Sequence, residues 1–371
     1  MDGAAPSNIS ISRSEFNIVC YYTLAISGQP HPALLDPYLC THIIVGFAQV
    51  KNSTISPNYD NETKVYSRVI GLKLLNPSLK VLLSVGGPSD IGGFETVVLS
   101  DQSRTKFVND SLCFIEKYGF DGLDIDWEFP SWPISQPQQR KNFTLLLKEF
   151  SDAIKRSNHS ILLTVAVAAP EAIILQSYDV AEMAKYVDFV NLMAYDFHMY
   201  TDVLPVTGPN SPLFSRPADA GYMKTLNTNW SAYEWISLGM PKEKLVVGVP
   251  TFGHSFTLVN EDNNGWNAPA AGYGKIGSQG FVTYSDACLF ISRPSTTHVF
   301  DDDYKVPYAF SGQEWISYEN DESVLMKAYY IKENRFGGVM IFSLNVDDYR
   351  GNCNGQQFSL TRKISNILSM S

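Results

Sequence analysis

The 371-residue chain is 44% hydrophobic and 13% aromatic, with a formal net charge of −10 at pH 7 and a pI near 5.1. So much apolar and aromatic content excludes a disordered polypeptide. The acidic balance, with no local Lys/Arg cluster, argues against nucleic-acid backbones and anionic lipid surfaces as partners. No apolar run reaches the roughly 18 residues of a membrane span. The opening MDGAAPSNISISRSEF is polar and lacks the basic stretch and apolar core of an export signal.

In chain order, short apolar runs alternate with amphipathic stretches, the pattern of β-α units around a parallel sheet. Eight runs are expected as strands: Asn17 to Tyr22, His42 to Ala48, Lys80 to Val85, Gly122 to Trp127, Ile161 to Ala168, Phe189 to Met193, Lys244 to Pro250 and Gly338 to Ser343. Eight is the number that closes a (β/α)8 TIM barrel, so an α/β fold of that class is predicted. Helices are expected over Lys64 to Leu75, Gln102 to Tyr118, Gln138 to Ser157, Val180 to Lys185, Gly221 to Leu238, Glu322 to Asn334 and Leu360 to Ser369. The first crossover, near Ala33 to Leu39, is short and interrupted by Pro37. About 85 residues separate the seventh run from the eighth, more than one helix and its loops require. The excess, rich in Gly, Tyr and Pro, reads as a small α+β insertion with strand pieces at Ser255 to Leu258, Gly280 to Tyr284 and Tyr308 to Phe310. The expected division is a barrel of residues 17–253 and 318–371, an insertion domain of 254–317 and an N-terminal extension of 1–16.

The chemically decisive stretch is Tyr118 to Pro130, YGFDGLDIDWEFP. A strand alternates faces at every residue, so Asp124, Asp126 and Glu128 share one face while Leu123, Ile125 and Trp127 share the other. Carboxylates about 7 Å apart along a strand repel, and their burial is costly without a proton or hydrogen bond to relieve it. A solvated acidic strand is disfavoured by the interleaved apolar face. A hard-metal site is disfavoured because the segment lacks the glycine of a calcium loop and is too stiff to wrap an ion. An acid with its helpers, at the end of a barrel strand where such groups sit, fits best.

The five cysteines, Cys20, Cys40, Cys113, Cys288 and Cys353, form no CxxC pair or Cys/His cluster, so no metal site is expected. Seven Asn-x-Ser/Thr sequons occur, at Asn8, Asn52, Asn61, Asn109, Asn142, Asn158 and Asn229. Together they point to a secreted chain whose signal peptide lies outside this numbering.

These residues resemble glycoside hydrolase family 18, the chitinases and chitinase-like lectins. The signature D-G-x-D-x-D-x-E stands complete as Asp121, Gly122, Asp124, Asp126 and Glu128. CTHIIVGFA at Cys40 to Ala48, KVLLSVGG at Lys80 to Gly87 and NLMAYDFH at Asn191 to His198 resemble the second, third and sixth strands. PTFGHSFTL, FVTYSDAC and FGGVMIFSLNVDDYRGNC resemble the seventh strand, the insertion and the eighth strand of the animal-type enzymes, so the resemblance spans Ile18 to Leu368. It implies substrate-assisted retaining hydrolysis of β-1,4-linked N-acetylglucosamine polymers or oligomers, without a cofactor. Glu128 would be the acid, and Asp126 would orient the substrate's acetamido group. Asp124 would raise the proton affinity of the cluster, and Tyr195 would bond the acetamido oxygen. Tyr21, Phe47, Gly87, Met193, Asp196 and Phe342 would line the sugar site. Tyr195, Tyr21 and Phe47 each have a plain alternative as core aromatics.

The pattern also breaks. Relatives usually place Trp at the eighth strand, where this chain has Phe342. They often carry groove tryptophans where Ala25, Pro88 and Met199-Tyr200-Thr201 stand, and Tyr and Arg where Phe252 and His254 stand. These losses keep open a chitin-oligosaccharide-binding lectin or growth-factor-like protein with little hydrolysis, and cleavage of an N-glycan chitobiose core. The expected partners are chitin or N-acetylglucosamine oligosaccharides, with no nucleic acid and no membrane span, bound by a monomer. Disulfides are expected between Cys20 and Cys40, at adjacent barrel elements, and between Cys288 and Cys353, joining the insertion to the segment after the eighth strand. Cys113 is expected to be a free, buried thiol.

Overall fold

The computed structural model describes residues 16–24, 30–59, 61–157 and 159–370. Eight parallel strands close into a (β/α)8 barrel: Asn17–Thr23, His42–Lys51, Lys80–Gly86, Gly122–Asp126, Leu162–Ala168, Phe189–Met193, Leu245–Pro250 and Gly338–Phe342. Each pairs with the next, and the eighth returns to the first. The runs are apolar on both faces because each strand is covered twice. On the first strand Ile18, Cys20 and Tyr22 join the layer beneath the helices, while Val19 and Tyr21 join the barrel interior with Ile44, Leu82, Val246 and Met340. The two-residue period therefore sorts side chains between two cores.

The helix Asp101–Tyr118 feeds the acidic strand, and local chemistry sets its ends. Ser100 and Ser103 form a reciprocal cap at 3.1 Å, and Gly119 stops the helix at φ 80°. Its buried face carries Phe107, Val108, Ser111 and Ile115. Cys113 lies on the opposite face and is free and exposed, which corrects the expected buried thiol. The error is angular: two residues from Ser111 or Ile115 is about 200° of helix rotation. The Gly221 to Leu238 helix is also divided. A 3-10 turn at Gly221–Thr225 precedes the α-helix Thr228–Ser237, which Asn227 caps by accepting from the Trp230 N–H at 2.9 Å.

After the seventh strand the chain enters an antiparallel sheet of Phe252–Leu258, Ala270–Tyr273, Phe281–Thr283, Thr297–Asp301, Val306–Ser311 and Glu314–Ser317, with a helix at Tyr284–Ile291. Short strands at Ala270–Tyr273 and Glu314–Ser317 carry little apolar alternation, and sequence reading did not find them. Disulfides join Cys20 to Cys40 and Cys288 to Cys353, as expected. Among the described residues no helix is long and apolar enough to cross a membrane.

Candidate active site

At the barrel's centre Asp124 is fully buried and accepts four hydrogen bonds, each from a different strand. Tyr21 Oη and Ser84 Oγ donate to Oδ2 at 2.7 Å each, while Thr164 Oγ1 and Asn191 Nδ2 donate to Oδ1 at 2.6 and 3.1 Å. Parallel register sets Ser84 and Thr164 on either side of Asp124. A hydrogen bond to a charged group contributes about 1.5–3 kcal/mol, so four of them offset much of a desolvation cost of several kcal/mol. Burial still wins, and Asp124 is held above the usual carboxylate range.

Asp126 is buried too, at 3% exposure, but its Oδ1 accepts no hydrogen bond from any described residue. Burial, then the charges of Glu128, Asp124 and Asp90, push its pKa well up. Glu128, just past the strand's end, faces solvent at the C-terminal mouth of the barrel. The surrounding walls nevertheless desolvate it, and with the charge of Asp196 they raise it to about 7. All three neighbouring carboxyls are thus shifted upward, and interacting groups of this kind titrate as a set.

Two glycines let the third strand reach this strand. Gly87 N–H donates to Asp126 O at 2.8 Å, and a Cβ on Gly86 would lie 2.2 Å from that same oxygen. A Cβ on Gly87 would lie 2.7 Å from the Phe47 ring. Gly87 therefore holds the acidic strand's backbone and seats Phe47.

Aromatic rings make the floor. Phe342 packs 5.5 Å from Tyr21, 5.7 Å from Tyr195 and 6.2 Å from Phe252, while Phe47 and half-buried Met193 complete the cluster. Tyr195 Oη lies 3.8 Å from Met340 Sδ, a weak acceptor, and burial with four nearby carboxylates keeps the phenol protonated. Asp196 follows at φ 57°, with its N–H donating to Asn210 Oδ1 at 3.0 Å. Its carboxylate meets His254 Nε2 at 2.7 Å. The ten predicted site residues thus run from Asp124 and Tyr21 in the barrel's interior up to Glu128 at its mouth.

Sequence reading missed Ser84, Thr164 and Asn191 as the cradle of Asp124, although each is a lone polar residue in an apolar run. It also missed Asp90, whose charge reaches Asp126. Of the groove positions, Ala25 lies outside the described residues. Pro88, Met199 and Thr201 are exposed, and Tyr200 packs edge-on to Tyr273 of the inserted sheet at 5.3 Å.

A closed parallel barrel with an acidic ladder rising to a solvent-facing glutamate, over an aromatic floor, defines a barrel glycosidase architecture. The sequence profile of Glycosyl hydrolases family 18 matches residues 17–347, and the chain belongs to that family. Its relatives fall on both sides of catalysis. It is 37% identical to mouse chitotriosidase-1 over 96% of this chain and 79% of the relative, and 35% identical to human chitinase-3-like protein 2 over 96% and 93%. The human YKL-39 structure, described as a pseudo-chitinase with retained chitooligosaccharide binding, superposes with a TM-score of 0.89 at 34% identity, covering 95% of this chain and 99% of that one.

Proposed function

We propose that this protein is a secreted, substrate-assisted retaining hydrolase of β-1,4-linked N-acetylglucosamine oligomers. The observation that carries this reading is Glu128: a carboxyl at the barrel mouth raised to about 7, protonated in mild acid and able to reprotonate between steps. Its proton passes to the glycosidic oxygen as the bond from that oxygen to the anomeric carbon breaks. The carbonyl oxygen of the sugar's own acetamido group forms the new bond to that carbon. Asp126, whose buried Oδ1 has no donor among the described residues, accepts the acetamido N–H and stabilises the oxazolinium cation. Tyr195 donates its hydroxyl to the acetamido oxygen, since a thioether is the weaker acceptor. Water then attacks the anomeric carbon and gives a proton to Glu128, reopening the ring with retention. Asp196 and the floor of Tyr21, Phe47, Met193 and Phe342 hold the sugar. The two disulfides fit an oxidising, extracellular setting.

Incubation with N-acetylglucosamine oligomers, read for shorter products, tests the reading. Glu128→Gln should lower turnover by about 10²-fold or more while binding persists, and near-normal cleavage by that variant would falsify the assignment. A second reading, an oligosaccharide-binding lectin, is favoured by the phenyl ring at Phe342 and by exposed Pro88 and Met199, which stand where relatives often carry groove tryptophans. Those positions weaken remote binding, which supports distortion of the reacting ring. Modest activity on soluble oligomers, with little sliding along crystalline chitin, is the expected behaviour. Binding without any product supports the lectin instead.

A further inference from the structure

The second barrel strand, His42–Lys51, is irregular where it bears Phe47. Val45 pairs with Leu83 and Ala48 with Val85 on the third strand, so Gly46 and Phe47 together face Ser84. Such a bulge interrupts the ladder and re-aims a side chain. The Phe47 carbonyl oxygen takes its hydrogen bond from outside the ladder, with Asn58 Nδ2 donating to it at 2.6 Å. That bond fixes the Asn58 amide, since only its nitrogen can donate to a carbonyl. Asn58 Oδ1 is then buried without a donor among the described residues.

Glu62, the first residue of the helix Glu62–Ile70, is 4% exposed and carries a matching asymmetry. Its Oε2 accepts twice, from the Asn58 N–H at 2.8 Å and from Tyr66 Oη at 3.0 Å, while its buried Oε1 accepts from no described residue. A protonated carboxyl has this pattern, because its carbonyl oxygen accepts and its hydroxyl donates. An ionised one would leave a charged oxygen buried and unsatisfied, at considerable cost. Two orphaned oxygens, on residues already in contact, are both satisfied by one proton.

We propose that Glu62 is a positioning residue for the sugar floor: the proton on its Oε1 donates to Asn58 Oδ1 and so keeps the Asn58 amide turned toward the Phe47 carbonyl. The proposal rests on the reading of Phe47 as part of that floor. Loss of the proton sets a charged acceptor against another acceptor. Asn58 relieves this by turning its NH2 from Phe47 to the carboxylate, which releases the bulge. Phe47 lies 6.2 Å from Tyr21 and packs on Gly87, so the release reaches the sugar site.

Burial holds Glu62 above the usual carboxylate range, and the Asn58 and Tyr66 hydrogen bonds oppose it. The groups around it leave this balance to burial. Tyr66 stays protonated, and Tyr118 approaches it from the helix Asp101–Tyr118, with the rings 5.9 Å apart. Arg68, on the exposed side of the Glu62 helix, meets His31 at 3.0 Å, and Lys73 in the following turn pairs with Asp121 at 2.8 Å. Lys64 is exposed, and the strand Thr54–Ser56 brings no charge.

The test uses the full chain. E62Q copies the protonated form, with an amide N–H in place of the hydroxyl. The wild-type KM for the N-acetylglucosamine tetramer should match that of E62Q at about pH 5 and exceed it about threefold or more at about pH 8, with a smaller change in kcat. Both proteins keep Asp126 and Glu128, so the ratio cancels the titration of the acidic ladder. N58A should show the raised KM at both pH values. A ratio that stays at one, or N58A with an unchanged KM, overturns the proposal. Carboxyl 13C spectra, assigned by the signal lost in E62Q, should show Glu62 ionising above the ordinary glutamate range, and ionisation within that range overturns the proposal too. Failure of the wild type to cleave the tetramer refutes the hydrolase reading instead, and tetramer Kd values of the same three proteins at the two pH values then decide this inference.

Discussion

Each acidic residue has its own environment, so the three carboxyls of one strand face are not interchangeable. Among the described residues Asp124 has four donors, Asp126 lacks one at Oδ1, and Glu128 meets solvent. This costs stability in a way that pH reveals. Glu128 moves from 4.5 to about 7 on folding, so folding takes up a proton between those values. Its contribution is present below about pH 4.5, declines as pH rises to about 7 and is flat beyond. Glu128→Gln should accordingly raise Tm more at about pH 8 than at about pH 4, as scanning calorimetry at both pH values would show. Equal shifts would mean that Glu128 is not the displaced group. Phe342 offers the opposite trade. An indole presents more area to a sugar face, so Phe342→Trp should tighten tetramer binding by roughly 1 kcal/mol, about fivefold, measured by titration calorimetry. Weaker binding would show that the ring displaces Tyr21 or Tyr195 rather than meeting the sugar.

Between elements, one polar network joins the outer helix Asp321–Asn334 to the loop beyond the sixth strand. Lys327 and Glu319 are each 1% exposed and paired. Lys327 Nζ also donates to Ser211 O at 2.6 Å, and Ser211 Oγ donates to Ala194 O at 2.6 Å, one residue before Tyr195. Burial pushes the lysine down and the glutamate up, and the charge of each opposes the shift of the other. Lys327→Met should therefore cost about 3–5 kcal/mol by leaving Glu319 unpaired, read from urea unfolding. Lys327→Met with Glu319→Leu should recover much of that loss, because the uncompensated charge goes with it. A single variant as stable as the wild type would show that Glu319 simply takes up a proton.

For the whole molecule, exposure sorts the sequons. Asn52, Asn61 and Asn109 are exposed. Asn142 is 8% exposed, with its Nδ2 donating to Val98 O and its Oδ1 accepting from Gln138. A glycan on Asn142 would have to sit on a buried amide nitrogen that ties the helix Pro137–Arg156 to Val98, leaving it a single N–H. Expression through a secretory pathway, with glycopeptide mass spectrometry, should find the three exposed sites modified and Asn142 bare. Folded protein carrying a glycan at Asn142 would contradict this packing.

The sequence by itself determined the eight barrel strands, most of the helices and the acidic ladder, because each is written in short-range terms: apolar runs, two-residue alternation and a contiguous motif; both disulfide pairs, 20 and 65 residues apart, followed from the expected order of the barrel elements. Boundaries failed where the signal is weak or angular. The paired short strands of the insertion have little period of their own, and Cys113 was assigned to the wrong side of an otherwise well-read helix. Only the tertiary structure decided how the carboxyls differ. Ser84, Thr164, Asn191 and Tyr21 converge on Asp124 across 40, 40, 67 and 103 residues of chain, and His254 meets Asp196 across 58. Closure of the barrel and docking of the insertion create those contacts, and the proton affinities they set depend on burial and distance, which no local pattern encodes.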